Sequence, residues 1–209
     1  MEMRLLLIEG LPGTGKTTLA SHLCASALNE GRKSRWYLEE AADHPVHPRS
    51  LGALKSRADY PSQCLQRWQR FVDEARSTDT LHILEGSAFQ STVRFMMEQG
   101  RADIDDYIDE FEKILAPLSP SFIYLRPENA EKHLRATAIH RRPGWTRKVA
   151  VYIEQTPYAR SYGLRGEGGM HRFWADYASL CDALVNRLSM PLSRTAIATG
   201  PQSIDKETG

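Results

Sequence analysis

A glycine-rich stretch near the start of the chain constrains the fold more than any other feature. Residues 10–18 read Gly-Leu-Pro-Gly-Thr-Gly-Lys-Thr-Thr, which fits the pattern of a glycine, four further residues and Gly-Lys-Thr. The apolar run Leu5 to Ile8 precedes it and predicts a buried strand. Apolar residues at helical spacing from Leu19 to Leu28 follow it. The sequence therefore predicts a strand, a phosphate-binding turn and a helix.

The residue types in this turn suit a triphosphate. Glycines let backbone N–H groups approach phosphate oxygens closely, and the N-terminus of the next helix adds unpaired N–H groups and partial positive charge. Lys16 is expected to contact the β- and γ-phosphates of ATP, and the Thr17 hydroxyl to bind Mg²⁺. The predicted nucleotide-binding residues are Gly10, Leu11, Pro12, Gly13, Thr14, Gly15, Lys16, Thr17 and Thr18.

Length and charge limit the class of protein. A chain of 209 residues suits one domain, predicted here as residues 1–199 with a disordered tail at 200–209. The net charge of +1 argues against a protein that coats nucleic acid or a membrane surface. The three cysteines lack metal-ligand spacing, and no signal peptide or long apolar run is found, so we expect free buried thiols and a cytoplasmic protein. A homodimer stays open as an assembly state.

Strand-like and helix-like segments alternate along the rest of the chain. Four further strands are predicted at residues 34–39, 81–87, 121–126 and 195–198, with helices between them. Pro127 is expected to open a helix, and residues 160–169 to form a loop. An acidic helix face within residues 103–112 is interpreted as solvated. The alternation predicts an α/β fold of three layers, with a parallel sheet flanked by helices.

Acidic residues follow two of the predicted strands. Glu39 ends the second strand and Glu85 ends the third, at the edge where parallel sheets bind ligands. Glu85 is predicted to hold or orient Mg²⁺, and Glu39 to face an acceptor hydroxyl as general base. Solvent-exposed acids are the alternative interpretation for both.

A basic segment follows the fourth strand. Residues 132–148 contain six lysines and arginines and no acid. We interpret residues 132–170 as a helical lid in which Arg141 and Arg142 stabilise the transferred phosphate. The alternative is that these arginines pair with the acidic helix.

These features together resemble the nucleoside and nucleotide kinase group of P-loop enzymes. Glu85-Gly86-Ser87 is similar to the Glu-Arg-Ser signature of deoxynucleoside kinases, with Gly86 where that family has arginine. The Asp-Arg pair of thymidylate kinases is absent from the third strand. The resemblance implies a three-layer P-loop NTPase fold with a helical lid, ATP and Mg²⁺ as cofactors, and a role for Glu39 as base.

A second resemblance concerns the loop after the second strand. The chain resembles a group of uncharacterised bacterial P-loop proteins in which a strand-two acid is followed by Asp-His-Pro, here Asp43-His44-Pro45. Asp43, His44, His47 and, in the basic segment, Arg135 are the candidate acceptor-binding residues, with ordinary loop residues as the alternative for the first three. Metal binding by the two histidines does not suit the hard oxygen ligands that Mg²⁺ prefers.

Two main hypotheses for the function follow. The first is an ATP-dependent kinase that phosphorylates a hydroxyl or phosphate of a small molecule, whether nucleoside, nucleotide, metabolite or antibiotic. The second is a regulatory NTPase or switch, although the guanine-reading Asn-Lys-x-Asp motif of GTPases is absent. A module acting on nucleic-acid ends is a third hypothesis, which the near-neutral charge disfavours.

Overall fold

A five-stranded parallel sheet forms the centre of the molecule. The computed structural model describes residues 2–48, 51, 53–141 and 144–197. The strands are β1 (Leu5–Gly10), β2 (Ser34–Tyr37), β3 (Leu81–Glu85), β4 (Pro120–Pro127) and β5 (Leu192–Ile197). Their order across the sheet is β2-β3-β1-β4-β5, and every neighbouring pair is parallel. The predicted strands therefore all form, although part of the fifth one and the predicted tail lie outside the described residues.

Helices connect the strands. They are α1 (Lys16–Asn29), α2 (Tyr60–Ala75), α3 (Arg94–Glu98), α4 (Ile104–Leu115), α5 (Ala130–Ile139), α6 (Trp145–Glu154), α7 (Pro157–Ser161) and α8 (Gly166–Arg187). A π-helical turn at Phe89–Val93 leads into α3, and a 3-10 turn at Ala116–Leu118 follows α4. Within the described ranges, no helix combines the length and the apolar character that a membrane crossing requires.

The central strand β1 shows why the fold has three layers. All six of its residues are buried. Leu5 and Leu7 pack in the larger hydrophobic cluster, whereas Leu6 and Ile8 pack with α1 in a second cluster on the opposite face of the sheet. Successive side chains of a strand point to opposite faces, so an uninterrupted apolar run suits a strand covered on both sides. The predicted three-layer α/β fold is confirmed.

The sheet order places a ligand-binding crevice at the carboxyl end of β1. The chain passes from β1 to β2 on one side and later to β4 on the other, so the strand order reverses at β1. Ile8 is aligned with Glu85 of β3, and Tyr37 of β2 with Leu84. The ends of these three strands, with the loops that follow them, therefore meet at one edge.

Two local predictions are wrong. Pro127 ends β4 instead of opening a helix, and α5 begins at Ala130, where the Asn129 side chain accepts a hydrogen bond from the Lys132 N–H at 2.9 Å. Residues 160 and 161 belong to α7 and residues 166–169 to α8, so the predicted loop is confined to residues 162–165. A Cβ on Gly169 would lie 2.7 Å from the backbone of Leu164, so this glycine lets the helix start pack closely against the preceding turn.

The predicted lid segment packs on the body of the protein. Helices α5 and α6 both contact α8. Leu134 of α5, Ala150 and Ile153 of α6, and Met170 of α8 are buried in the larger cluster. The lid remains a prediction, and its first helix is held against the rest of the fold.

The acidic face of α4 is partly used to hold α8. Asp105 and Asp109 form ion pairs with Arg187, and Glu112 accepts hydrogen bonds from the backbone of Ser189 and Met190. Asp103 pairs with Arg101 and Glu110 with Lys113, so this face is paired with cations from α8, from α4 itself and from the residues just before it. The three cysteines are buried and free, as predicted.

Candidate active site

The glycine-rich turn connects the end of β1 to the first residue of α1. Gly13 and Gly15 have φ angles of +82° and +85°, in the left-handed region that favours glycine. A Cβ on Gly13 would lie 2.5 Å from Thr137 Oγ1 of α5. The ring of His133, on the same helix, lies with Nε2 3.0 Å from the Pro12 carbonyl oxygen. Helix α5 therefore supports the turn directly, and sequence reasoning missed both of these α5 residues.

Lys16 is buried and makes three hydrogen bonds within the protein. Its Nζ donates to the carbonyl oxygens of Gly10 at 3.0 Å and Leu11 at 3.3 Å. It also donates to Gln90 Oε1 at 2.9 Å. Because the ammonium group has three donors, all of them are used within the chain.

Thr17 and Glu85 come together as the sequence predicts. The Thr17 hydroxyl donates to Glu85 Oε1 at 3.0 Å, and the backbone N–H of Glu39 donates to the same oxygen at 3.2 Å. A hydroxyl and one carboxylate are hard oxygen donors, and Mg²⁺ in phosphate-transfer sites completes its octahedron with phosphate oxygens and water. This donor set fits Mg²⁺. Within the described part of the chain there is no group of three or more His, Cys, Asp or Glu that could hold a metal by protein side chains alone.

Glu39 lies beside Glu85 and is fixed by Gln90. Both carboxylate oxygens of Glu39 accept from Gln90 Nε2, at 3.0 and 2.9 Å. Burial raises the pKa of Glu39 to about 7, and the Lys16 charge opposes that rise. A carboxylate with this pKa can both accept and release a proton near neutral pH.

The glycine that departs from the deoxynucleoside kinase signature is explained by Glu39. Gly86 has a φ of +64°, and a Cβ there would lie 2.5 Å from Glu39 Oε2. The carboxylate thus occupies the space next to this backbone position. A side chain at residue 86 and the observed position of Glu39 exclude each other.

Glu9 is a buried acid that sequence reasoning missed. It lies in β1 with no exposure, and its carboxylate accepts from the backbone N–H groups of Ala88, Phe89 and Gln90 at 2.6, 3.1 and 3.4 Å. Burial raises its pKa to about 7, while Lys16 and the backbone donors oppose the rise. The one signal in the sequence is an acid inside an otherwise apolar strand directly before the turn.

A largely buried cation, Arg94, lies behind Gln90. Arg94 forms an ion pair with Glu98, one turn away, and its Nε donates to the Gln90 carbonyl oxygen at 3.2 Å. The Tyr152 hydroxyl of α6 donates to the other oxygen of Glu98. Gln90 is therefore held from one side by Glu9 and from the other by Arg94.

Most of the predicted phosphate-site residues line one cavity of about 350 Å³. It is lined by residues 12–18 of the turn and by Leu38, Glu39, Glu40, Glu85, Gln90 and Arg141. The Arg141 guanidinium lies 5.6 Å from the centre of the Trp145 ring. Arg142, its predicted partner, is outside the described residues. A larger cavity of about 590 Å³ between α3 and α8 contains no residue of the turn.

The predicted acceptor residues are not brought into this cavity. Asp43 is exposed. His44 is buried, and its Nδ1 accepts from the N–H groups of Val46 and His47 at 3.2 and 2.9 Å, while Nε2 lies 3.1 Å from Ser87 Oγ. Burial lowers the pKa of His44 to about 4, so the neutral ring fixes the conformation of its loop.

The other two candidates also lie apart from the turn. His47 lines a separate cavity of about 300 Å³ together with Glu39, Glu40 and Ala41. Arg135 is exposed on α5 and pairs with Glu131 at 2.8 Å. Acceptor binding by any of these four residues stays a prediction, and only His47 shares a cavity with Glu39.

The comparisons with known proteins agree with the observed architecture. The sequence matches no protein-family model and no curated protein sequence. Among solved structures, it is similar to thymidylate kinase from Candida albicans, with a TM-score of 0.51 and 13% identity over 95% of this chain and 85% of that chain. The chain has a nucleotide-kinase-like P-loop fold.

Deoxyadenosine kinase from M. mycoides with bound dATP is a second similar structure, with a TM-score of 0.43 and 15% identity over 92% of this chain and 90% of that chain. At these identities the likeness concerns the fold alone. The fold and the resemblance predicted from the sequence are confirmed.

Proposed function

We propose that this P-loop protein is an ATP-dependent phosphotransferase that transfers the γ-phosphate of Mg-ATP to a small molecule. The observation that carries the proposal is the single cavity shared by Lys16, Thr17, Glu39 and Glu85. A phosphate-binding turn alone would also serve a switch protein. Glu39 adds a carboxylate beside the phosphate site, and such a group can take the proton from an acceptor hydroxyl.

Different residues of the chain bind the phosphates, hold Mg²⁺ and stabilise the transferred group. Backbone N–H groups of residues 13–17, the first turn of α1 and Lys16 bind the phosphates. Thr17 and Glu85 would hold Mg²⁺, which neutralises charge on the β- and γ-phosphates when bound. Arg141 lines the cavity and would stabilise the charge on the transferred group.

For a hydroxyl acceptor, Glu39 removes the proton. The acceptor oxygen forms its bond to the γ-phosphorus while the bond from that phosphorus to the β–γ bridging oxygen breaks. The products are the phosphorylated acceptor and ADP, and the proton resides on Glu39 until solvent takes it. An acceptor phosphate needs no such base, so dependence on Glu39 separates the two acceptor types.

The test measures ADP release from Mg-ATP with a panel of nucleosides, nucleotides and amino-sugar alcohols. Turnover that depends on one class of acceptor supports the proposal. ATP hydrolysis that is the same with and without every acceptor contradicts the kinase and supports the regulatory NTPase instead.

Replacing the proposed base sharpens this test. We expect Glu39→Gln to lower kcat by about 100-fold or more, as loss of a general base does, with little change in ATP affinity. Glu74→Gln, the same change on the exposed face of α2, is the matched control. If Glu39→Gln turns over a hydroxyl acceptor at the wild-type rate, Glu39 is not the base.

A further inference from the structure

The hydrogen bonds of Lys16 raise the question of how it becomes free to bind phosphate. Two of its three bonds end on backbone carbonyl oxygens of the turn, and the third ends on the Gln90 side chain. A phosphate oxygen that accepts from Lys16 must replace at least one of them, because the ammonium has only three donors. Of the three acceptors, only Gln90 Oε1 belongs to a side chain, so it can move aside while the backbone of the turn keeps its shape.

The orientation of the Gln90 amide is set by its two partners. Lysine can only donate and a carboxylate can only accept, so Oε1 faces Lys16 and Nε2 faces Glu39. Both Glu39 oxygens are bound by that one nitrogen. A single side chain thus connects the phosphate-binding cation to the proposed base.

The backbone of Gln90 is held firmly while its side chain spans the cavity. Its N–H donates to Glu9 Oε2 at 3.4 Å, and its carbonyl oxygen accepts from Arg94 Nε at 3.2 Å. Glu9 is fully buried and Arg94 is largely buried, and hydrogen bonds in such surroundings are stronger than at the surface. Any rearrangement at residue 90 is therefore confined to the side chain.

We propose that Gln90 is a positioning residue that links occupancy of the phosphate site to Glu39. In the structure, Gln90 bridges Lys16 and Glu39. Nucleotide phosphates take Lys16 away from Oε1, the amide loses one of the two partners that set its orientation, and the hold of Nε2 on Glu39 weakens. Glu39 then becomes available to an acceptor only after nucleotide has bound. This inference rests on the proposed function, because it concerns the same base.

The first measurement follows the Gln90 side chain directly. In ¹⁵N-labelled protein, the side-chain NH₂ signals of Gln90 are assigned through their own backbone and followed while the magnesium complex of an imido analogue of ATP is added. We expect these signals to shift with the nucleotide, whereas the NH₂ signals of Gln69, which donates to Asp73 on α2, stay in place. Gln90 signals that do not move while nucleotide binds would overturn the proposal.

The second measurement uses binding affinity. Gln90→Met removes the three side-chain hydrogen bonds to Lys16 and Glu39 and keeps the length of the side chain, so Lys16 no longer gives up a partner when phosphate binds. We expect the analogue to bind to Gln90→Met about ten-fold more tightly than to the wild type. The reason is that the charge-assisted bond from Lys16 to Gln90 no longer competes with the phosphate. A merely structural role for Gln90 predicts weaker binding, and equal or weaker binding contradicts the inference.

Gln69→Met on the exposed face of α2 is the control for the chemical change itself. If Gln90→Met does not fold, the NMR titration of the wild type decides alone. Failure of the inference is distinct from failure of the proposed function. A wild-type chain that does not bind the analogue refutes the kinase, whereas a chain that binds it with an unmoved Gln90 refutes only the coupling.

Discussion

Individual residues at the site are explained by the groups that surround them. Gly86 combines a positive φ with a carboxylate 2.5 Å from the point where a Cβ would stand. Glu39 can reach both Gln90 and the edge of β3 only because this position has no side chain. The difference from the Glu-Arg-Ser signature is therefore coupled to the position of the proposed base.

A pair of glycine substitutions separates backbone strain from the contact with Glu39. Gly86 and Gly100 have nearly equal φ angles, +64° and +65°, but nothing lies within 4 Å of a Cβ on Gly100. Each alanine should cost about 1 kcal/mol of unfolding free energy from the left-handed backbone alone. We expect Gly86→Ala also to lower kcat at least about ten-fold by displacing Glu39. Equal turnover in the two variants would contradict this, and urea unfolding with steady-state kinetics measures both effects.

Lys16 offers the most direct test of the phosphate site. Lys16→Ala removes the cation from the cavity, and we expect roughly 10- to 150-fold weaker binding of Mg-ATP, the range of a lost charge-assisted hydrogen bond. Lys33→Ala, at an exposed position after α1, is the matched control. Calorimetric titration measures the affinity and circular dichroism checks the fold. Unchanged affinity would mean that the nucleotide binds elsewhere.

At the scale of the elements, local pattern predicted most of the fold and only part of the site. The apolar run of β1, the helical spacing of α1 and the turn between them are local features, so their structures could be predicted directly. The role of Glu9 could not, because the N–H group of Ala88 that it binds lies 79 residues further along the chain. The same holds for Gln90, whose two side-chain partners come from β1–α1 and from the loop after β2.

The start of α5 shows how a misplaced boundary arose. Proline is tolerated in the first turn of a helix, which favoured Pro127, but parallel pairing with β5 continues through that residue up to Ile197. The pairing is a tertiary contact that the local pattern does not contain. Asn129 then provides the cap that starts the helix.

The Asn129 cap of α5 leads to a prediction about stability. We expect Asn129→Ala to lower the unfolding free energy by about 1 kcal/mol, the usual cost of a lost N-cap, and Asn129→Asp to retain most of it. Because His133 and Thr137 of the same helix contact the turn, nucleotide affinity should fall together with stability. Urea unfolding and nucleotide titration test the two effects, and an alanine variant as stable as the wild type would contradict the role of the cap.

At the scale of the whole molecule, the buried acids couple stability to pH. Burial raises the pKa of Glu9 from an ordinary value of 4.5 to about 7. Between these values the folded state keeps a proton that the unfolded chain has lost. The contribution of Glu9 is therefore fully present below about pH 4.5 and is lost as the pH rises through about 7. The depressed pKa values of His44 and His47 act in the opposite direction, since they remove stability as the pH falls below about 6.5.

The difference between wild type and Glu9→Gln isolates the acid from the histidines. We expect the stability advantage of the wild type over this variant to shrink by on the order of 2–3 kcal/mol between pH 5 and pH 7.5, because glutamine cannot titrate. Urea unfolding at both pH values measures it. The control is Glu30→Gln at the exposed end of α1, where the difference should not depend on pH. An advantage that grows with pH would show that Glu9 is ionised in the folded protein.

The attachment of α5 to the phosphate-binding turn limits how nucleotides can enter and leave. His133 and Thr137 stand against Pro12 and Gly13, so the first two turns of this helix cannot swing outward without pulling the turn apart. The turn and the first two turns of α5 therefore form one mechanical unit, so a shift of either is transmitted to the other.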